Sequence, residues 1–408
     1  LKALLIALND ARNGQLQQRW YVSTNKLELV SMDVCVACRE LEVSHIVVTN
    51  NTPPHLWRRR GVEKHARNSS HSRVPALRVN AITWKRSIAE LEGVLLDDKW
   101  WTIYPRQLTR KQGPKQDCND IIWPDSLQQL LLVPGVSVAI KNVVWPASLK
   151  QLTLGPRFNH PVYGVEWPIS LQRLEFGDDF NQSVAEVVWP TTLRQLGFGR
   201  DFNKPIESVV WPNSLRHLSF GRNFNQTVAS VVWPISLQRL EFGDDLNQSV
   251  ADVVWPTTLR QLGFGRDFNR PIESVLWPNS LRHLSFGRNF NQTVASIVWL
   301  ISLQRLEFGD DFNQPVAEVV WPTTLRQLGF GRDFNRPIES VVWPNSLRDL
   351  SFGRNFNQTV ASVVWPISLQ RLEFGDDFNQ SVAEVVWPTT LRQLVFGSDF
   401  NRPIESVV

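Results

Sequence analysis

The sequence predicts a repeat solenoid, a fold in which short coils of one kind stack on each other and share one apolar core. A Trp recurs at intervals of 22 residues from Trp123 to Trp387, so thirteen repeats begin within this chain. Each repeat follows the pattern W-P-x-[ST]-L-x-x-L-x-F-G-x-[DN]-F-N-x-[PST]-[VI]-x-x-[VI]-V. A fixed period near twenty residues is typical of solenoids, because one repeat alone cannot bury its apolar side chains.

The L-x-x-L-x-F segment of each repeat predicts a short β-strand. In the third repeat, Leu174 and Phe176 are two residues apart and therefore point to one face of a strand. Arg173 and Glu175 then point to the opposite face. Gly177 follows, and we expect it to close the strand with a backbone turn that a Cβ would resist.

The rest of the repeat predicts a loop and a set of core residues. Pro168 cannot donate a hydrogen bond to a strand ladder, so it marks the loop that leads into the strand. We expect the interior to be completed by Trp167, Phe180, Val184 and Val188. Copies stacked about 4.8 Å apart would place each of these side chains against its equivalent in the next coil.

An Asn occupies the same position in successive repeats, at Asn181, Asn203, Asn225 and Asn247. We interpret this column as structural, because an Asn that faces a turn can satisfy backbone groups that loops leave unpaired. The tripeptide Asn181-Gln182-Ser183 also matches the acceptor pattern for N-linked glycosylation, which is the alternative use of the same side chain.

The strand pattern L-x-x-L-x-F resembles the strand signature of leucine-rich repeats. The fuller pattern S-L-x-x-L-x-F-G-x-x-F-N-[QKR]-[PST]-[VI] resembles the FNIP repeat, a 22-residue relative of the leucine-rich repeat, and residues 202–206 and 268–272 match it closely. The resemblance covers residues 121–408, more than two thirds of the chain, with Trp-Pro in place of the family's common Leu-Pro. It implies parallel strands on a concave side, loops and turns on a convex side, and partner binding on the concave strand face.

The chain divides into four predicted segments, of which the repeat array is the longest. We expect a small α+β segment (1–50), a basic polar linker (51–75), a lead-in and capping region (76–122) and the thirteen repeats (123–408). Within the first and third of these segments, the residue patterns predict a helix-like face at 1–13, a hairpin around Thr24-Asn25, a strand at 45–48 and a degenerate coil at 104–108.

A longer period, three repeats in length, runs through the array from its third repeat, at Trp167. The residue before the strand Phe cycles through Glu175, Gly197 and Ser219, and the trio then repeats. Residues 167–232 and 233–298 differ at only five positions. We infer that a block of three repeats was copied within the chain.

The net charge of +4 is distributed unevenly along the 408 residues. Residues 1–120 carry 19 Lys and Arg against 12 Asp and Glu, whereas residues 121–408 carry 24 against 27. The repeat array is therefore almost neutral, which argues against nucleic-acid binding there.

Three Cys, none of them in the repeats, are typical of a chain that does not rely on disulfides. This low cysteine content does not determine the cellular compartment, although it mildly favours the cytoplasm.

No apolar run reaches the ~18 residues that a membrane-spanning helix requires, so we expect no membrane span. The chain begins at Leu1, has its only Met at Met32 and stops at Val408, one residue before the next expected Trp. We therefore expect it to be a fragment of a longer protein, truncated within its last repeat.

The strongest candidate for a binding surface is the outward side of the strands. Small Gly and Ser side chains leave shelves on that face, while Arg and His provide anchors for a partner. We predict that a protein partner binds there through Arg173, Glu175, Gln195, His217, Ser219, Arg239, Glu241, His283 and Arg305. A solvated polar face without a partner is the alternative.

Charged residues predict a second surface feature beside the strands. Asp178 is expected to lie beside Arg200 of the next coil, and Arg222 beside Asp244, as weak surface pairs that set the register. A metal site at Asp178 and Asp179 would need ligands from neighbouring coils, and those coils present Arg instead. We therefore expect no metal site in the array.

The sequence offers no unique set of catalytic residues. The carboxylates and His of the array recur in successive three-repeat blocks, and a catalytic pocket copied along a rod is not expected. The motif Cys35-Val36-Ala37-Cys38 stands alone, without a second pair of ligands at a suitable spacing. We therefore expect no enzymatic activity, no catalytic residues and no cofactor.

Together these observations favour a monomeric, non-enzymatic scaffold that binds a protein partner on its strand face. The FNIP resemblance also implies a narrower alternative, an F-box-type ubiquitin-ligase substrate receptor. Its F-box would be missing from this fragment, since residues 1–120 contain no Leu-Pro-x-Glu-Ile-like opening. A third interpretation is an extracellular solenoid that binds a surface or a carbohydrate.

Overall fold

The computed structural model describes residues 127–132 and 139–404 in full, and seven short strands before them by their backbone alone. The helix-like pattern at 1–13 and the linker at 51–75 lie outside the described residues. The chain forms two compact units. One contains residues 1–160 and 165–177, and the other contains residues 161–164 and 178–408.

Most of the described strands of the first unit build one sheet that begins with a hairpin. They are β1 (Val22–Ser23), β2 (Lys26–Glu28), β3 (Ile46–Val48), β4 (Arg78–Val79), β5 (Ile82–Trp84), β6 (Tyr104–Pro105), β7 (Gln107–Arg110), β8 (Gln129–Leu132), β9 (Gln151–Thr153) and β10 (Arg173–Glu175). The antiparallel pair β1–β2 encloses Thr24 and Asn25, which confirms the predicted hairpin. Strands β2, β3, β5, β7, β8, β9 and β10 then pair in parallel, in that order. Strands β4 and β6 pair with each other in a separate two-stranded sheet.

The degenerate coil at 104–108 joins the register of the repeats. Leu108 of β7 lies opposite Leu130 of β8, which in turn lies opposite Leu152 of β9. Each step is one repeat long, so the register of the first repeats extends back into the segment that precedes Trp123.

The second unit is a ladder of short parallel strands, one from each repeat. They are β11 (Gln195–Gly197), β12 (His217–Ser219), β13 (Arg239–Glu241), β14 (Gln261–Gly263), β15 (His283–Ser285), β16 (Arg305–Glu307), β17 (Gln327–Gly329), β18 (Asp349–Ser351), β19 (Arg371–Glu373) and β20 (Gln393–Val395). Each strand pairs with the next so that equivalent residues lie opposite each other. This arrangement confirms the predicted solenoid of parallel strands.

The core lies behind the strands, as their alternating pattern predicts. In β12 and the residue after it, Leu218 and Phe220 are buried, whereas His217 and Ser219 are partly exposed. The pattern arises because successive side chains of an extended chain point to opposite faces.

Aromatic residues stack in columns along the core of the second unit. Phe220 stacks on Phe242 of the next coil with ring centroids 5.8 Å apart and planes 8° from parallel. Trp189 and Trp211 are 6.2 Å apart with their planes at 15°. Such offset stacked pairs are favourable arrangements of aromatic rings. The predicted placement of Trp and Phe in the interior is therefore confirmed.

The expectation that Val188 fills the core is wrong. Its side chain is 84% exposed, whereas Val187 is only 5% exposed. Val187 N–H donates to the carbonyl of Val184 at 3.3 Å, which closes a turn between the two residues. The chain leaves this turn with Val187 pointing inward, Val188 outward and Trp189 inward again. The turn therefore shifts the alternation by one residue.

The Asn column is structural, as predicted. Oδ1 of Asn247 accepts from the backbone N–H of Asn269 at 3.1 Å. Oδ1 of Asn269 accepts in turn from the N–H of Asn291 at 3.0 Å and from Nε2 of Gln292 at 2.8 Å. Each Asn thus satisfies a loop N–H of the following coil, where regular strand pairing is absent.

A second ladder explains the Ser or Thr of the repeat pattern. The hydroxyl of Ser280 donates to the carbonyl of Leu259 at 2.6 Å, and that of Ser302 donates to the carbonyl of Leu281 at 2.8 Å. Each hydroxyl belongs to the loop before a strand and bonds to the coil before it. The two ladders connect the coils on either side of the strands.

We expect Asn269→Ala to lower the free energy of unfolding by about 1–2 kcal/mol, because the partly buried N–H of Asn291 loses its acceptor. Asn269→Asp keeps an oxygen at the acceptor position and should cost less than half as much. Chemical denaturation followed by circular dichroism measures both changes. Equal losses in the two variants would contradict a role for the oxygen as acceptor.

Gly residues after the strand Phe allow successive backbones to come very close. A Cβ on Gly265 would lie 1.9 Å from the carbonyl oxygen of Gly243. A Cβ on Gly177 would lie 1.9 Å from the carbonyl oxygen of Gly155. Among the described Gly residues, a positive φ occurs at Gly164 (68°) and not at these positions. The close contact, rather than the turn expected at Gly177, therefore requires glycine.

Two Gly residues of one coil provide a matched comparison. Gly265→Ala should destabilise the protein by more than about 2 kcal/mol, because its Cβ would overlap backbone atoms that cannot move aside. Gly263→Ala should change stability by less than about 1 kcal/mol, since its nearest new contact is the hydroxyl of Ser285 at 3.3 Å. Thermal denaturation distinguishes the two, and similar melting temperatures would refute the close-contact explanation.

Candidate functional site: the polar strand face

The candidate site is the outward side of the strands, formed by the first and third residues of each strand and called the strand face below. The sequence-predicted site residues occupy these positions. Arg173 and Glu175 lie in β10 of the first unit. The others lie in the second unit, in β11, β12, β13, β15 and β16: Gln195, His217, Ser219, Arg239, Glu241, His283 and Arg305. Their binding role stays a prediction, while their position on the strand face is observed.

Every third strand carries an Arg–Glu ion pair within itself. Nε of Arg239 donates to Oε1 of Glu241 at 2.8 Å, and Nε of Arg305 donates to Oε1 of Glu307 at 2.8 Å. The predicted Arg anchors are therefore already paired within their own strand. Because these groups are about half exposed, each pair contributes at most about 1 kcal/mol to stability.

The two strands between successive Arg–Glu pairs are joined by side-chain hydrogen bonds. Nε2 of Gln195 lies 3.2 Å from Nδ1 of His217, and Nε2 of Gln261 lies 3.1 Å from Nδ1 of His283. In the next block Asp349 replaces the His, and Oδ2 of Asp349 accepts from the neighbouring Gln at 3.0 Å. A Gln amide donates to a neutral His through Nδ1, which leaves the proton of the imidazole on Nε2.

Partial burial lowers the pKa of His283, and the nearby Arg305 lowers it further, whereas Glu307 acts in the opposite direction. The pKa of His217 is lowered for the same reasons, with burial as the largest cause. The lowered pKa favours the neutral form of both imidazoles, which can accept as well as donate hydrogen bonds.

A depression of about 250 Å³ lies on the strand face between two Arg–Glu pairs. Its ends are formed by Arg305 with Glu307 and by the equivalent pair in β19, and its floor includes Gly329 and Ser351. The sequence predicts shelves at the Gly and Ser positions, and this depression is one of them. The same order of residues occurs one block earlier, at Gly263 and Ser285.

The predicted charge ladder forms in part. Arg222 lies 3.6 Å from Asp244 of the next coil, as expected, and equivalent pairs follow at longer distances. Arg200 instead donates to Asp201 of its own coil at 3.0 Å, while Asp178 acts on it only as a nearby charge. More than one carboxylate lies near Arg200. It binds that of Asp201, the next residue in the sequence.

Sequence reasoning missed an exposed column of Arg residues at the edge of the strand face. Each is the residue that precedes a strand, as in the segment Leu193–Leu196. The seven members are Arg194, Arg216, Arg260, Arg282, Arg326, Arg348 and Arg392, and all of them are exposed. The sequence could have revealed this column, because the equivalent positions in the repeats before and after each of these Arg residues hold no acidic residue.

Neither a metal centre nor a membrane-crossing helix is found in the described part of the chain. Within it, no three His, Cys, Asp or Glu side chains are grouped so that they could hold a metal ion. It also contains no helix with the length and apolar character that crossing a membrane requires. Cys35 and Cys38 lie outside the described residues.

The repeat positions and the geometry of the strands agree with a comparison against known families. The model of the FNIP repeat matches residues 202–245, 246–289, 268–298 and 334–377. The repeats at these residues are FNIP repeats. Their strand ladder has the architecture of leucine-rich repeats, with Trp at the position where the family's common pattern has Leu. No curated protein matches the chain.

Solved structures with a similar fold include CroV588, described as a novel circular leucine-rich-repeat protein. It is 30% identical with a TM-score of 0.54, over 96% of this chain and 62% of CroV588. This chain therefore spans less than two thirds of the length of CroV588.

Two further solved structures are more distant. An internalin (InlF) from Listeria monocytogenes is 15% identical with a TM-score of 0.43, over 64% of this chain and 84% of its own. TLR13, solved in complex with ssRNA13, is 14% identical with a TM-score of 0.44, over 92% of this chain and 64% of its own.

The two His residues of the strand face should make stability depend on pH. Their folded pKa is lowered below the value of about 6.5 expected in the unfolded chain, so the unfolded state binds more protons near that pH. Their contribution is complete above about pH 6.5 and is lost progressively as the pH falls below it. Replacing both His by Gln should reduce the loss of stability between about pH 7.5 and 5.

Denaturation midpoints at the two pH values measure this difference. The double variant Ser219→Ala/Ser285→Ala, on the same strands, should keep the pH dependence of the unmodified protein. An NMR titration that gives either His a pKa above the unfolded value would contradict the interpretation.

Proposed function

We propose that this FNIP-repeat chain is a non-enzymatic scaffold that binds a protein partner on its strand face. The observation that carries the proposal is the depression over Gly329 and Ser351, with an Arg–Glu pair at each end. A recess with a small-residue floor and charged ends can receive one side chain of a partner and orient the polar groups around it.

Most of the residue types that line this recess recur one block earlier, so we expect a second recess there and an extended interface. The Arg–Glu pairs of β13, β16 and β19 enclose two successive Gly–Ser floors, at Gly263 with Ser285 and at Gly329 with Ser351. Three coils correspond to about 14 Å at the spacing of neighbouring strands. A partner that places side chains at this interval can occupy both recesses, and solenoids commonly bind partners along such surfaces.

The rigidity of the strand face also favours binding. The first residues of its strands are tied together by Gln–His hydrogen bonds, and the Arg side chains are held by Glu of the same strand. Side chains that are ordered before binding lose less conformational entropy when a partner arrives. Protein binding requires no metal or catalytic group, which agrees with a non-enzymatic role.

Filling the two recesses tests the proposal. In Gly263→Leu/Gly329→Leu the new side chains enter the depressions, and a Cβ at either position meets only side-chain atoms of its neighbours. We expect this variant to retain about tenfold less partner than the unmodified chain. The readout is affinity capture with the full-length tagged chain from lysate of the cells that produce it, quantified by mass spectrometry.

The matched control is Ser274→Leu/Ser340→Leu, which adds the same side chain at two exposed positions outside the strand face. It should retain the partner, and circular dichroism should give both variants the melting profile of the unmodified chain. Equal capture by the Gly variant and the unmodified chain would refute the proposal, as would the absence of any protein specifically retained by the unmodified chain.

A further inference from the structure

The Arg column beside the strand face carries positive charge that no group in the described residues neutralises. It comprises Arg194, Arg216, Arg260, Arg282, Arg326, Arg348 and Arg392. None of these guanidinium groups takes part in an ion pair or a side-chain hydrogen bond within the described part of the chain. The charge of this edge is therefore exposed and available to an external anion.

Most other Arg positions of the second unit differ in this respect. Arg222 lies 3.6 Å from Asp244, and Arg239 is paired with Glu241. Nε of Arg270 donates to the carbonyl of Asn247 at 2.7 Å. Most other Arg positions therefore have an internal partner, whereas every member of the Arg column lacks one among the described residues.

Backbone hydrogen bonds align the column. The N–H groups of Arg216 and His217 both donate to the carbonyl of Arg194, at 2.9 and 3.0 Å, and Arg282 and Arg260 are related in the same way. Successive members are therefore about 4.8 Å apart at their backbones, and their like charges repel each other. An anion between two such groups would relieve this repulsion.

We propose that the Arg column binds an extended acidic peptide segment of the protein partner, an inference that rests on the proposed scaffold function. The column follows the order Arg, Arg, Gln along the coils, with Gln238, Gln304 and Gln370 at every third position. From Arg194 to Arg348 it spans seven coil steps, about 34 Å at the strand spacing. An extended peptide of about ten residues covers this length.

The features of the surface favour a peptide over a nucleic acid. Single-stranded nucleic acids are held largely by stacking of bases on exposed aromatic rings. In the second unit, every Trp and Phe from Trp189 to Phe378 is buried. The carboxylates of Glu241 and Glu307 also lie on the adjoining strand face, at the coils where Gln interrupts the column. A peptide can place acidic residues opposite Arg only, whereas a phosphate backbone would also face these carboxylates.

The proposal is tested with the full chain and a defined probe. The probe is a fluorescein-labelled decapeptide that alternates Glu and Ser, and its neutral counterpart alternates Gln and Ser. We expect the acidic peptide to bind, to bind more weakly at higher salt, and to bind more tightly than the neutral one and than a labelled oligothymidine of similar length. Fluorescence anisotropy gives the three dissociation constants.

The test variant is Arg260→Gln/Arg282→Gln/Arg326→Gln/Arg348→Gln, which introduces the residue that the column already contains at every third coil. It should bind the acidic peptide about 30-fold more weakly, since four exposed charges are removed. The matched control is Arg222→Gln/Arg266→Gln/Arg288→Gln/Arg354→Gln, which removes four charges from the Asp-flanked column. It should change affinity by less than about threefold.

Three results would overturn the inference: no binding of the acidic peptide by the unmodified chain, equal weakening in the two variants, or tighter binding of the oligothymidine. The scaffold function can be separated from it by affinity capture. If the partner lost on filling the Gly–Ser recesses is still retained by the test variant, the scaffold proposal stands and the acidic-peptide inference fails.

Discussion

The close contact between successive backbones at the Phe-Gly step is the constraint on which the rest of the array depends. A Cβ added to Gly265 would lie only 1.9 Å from the carbonyl oxygen of Gly243. Glycine at both positions therefore lets the two coils pack at one distance and in one register. The Asn ladder and the Phe stacks require that same register, because each joins residues one repeat apart in sequence. A shift of the coils would break all of these contacts together.

A fixed register also determines which charges meet on the surface. Each side chain lies beside its equivalent from the next repeat, so the three-repeat block is translated directly into a pattern along the strand face. Where an Asp follows two Arg in the equivalent positions, as Asp244 follows Arg222, these neighbours attract each other. Where the third residue is Gln instead of Asp, as beside Arg260 and Arg282, the two Arg repel each other and no carboxylate of the column offsets their charge. The stacked core holds these like charges together.

The fold could be predicted from the sequence because its main signals are local and repeated. Alternation over Leu174 and Phe176 needs no knowledge of distant residues, and the repeat itself determines what each coil packs against. Val188 could not be placed correctly, since a turn at Val184 shifts the alternation by one residue. The hydrogen-bond partner of Arg200 was also missed, because a flexible side chain can reach several nearby carboxylates and the sequence does not show which one it binds. The positions of the site residues were predictable, whereas the depression between them depends on three-dimensional packing.

The Trp column illustrates how strongly the core favours large rings. The indole N–H groups of the Trp residues from Trp211 to Trp387 are buried without a hydrogen-bond acceptor in the described part of the chain. Leaving such a donor unsatisfied costs about 1–3 kcal/mol. Burying about 200 Å² of aromatic surface contributes about 5 kcal/mol, so the ring remains favourable at this position. The stability of the array therefore rests on its buried face. The strand face is left free to carry recesses and unneutralised Arg, which weaken the folded state slightly and suit a surface that binds a partner.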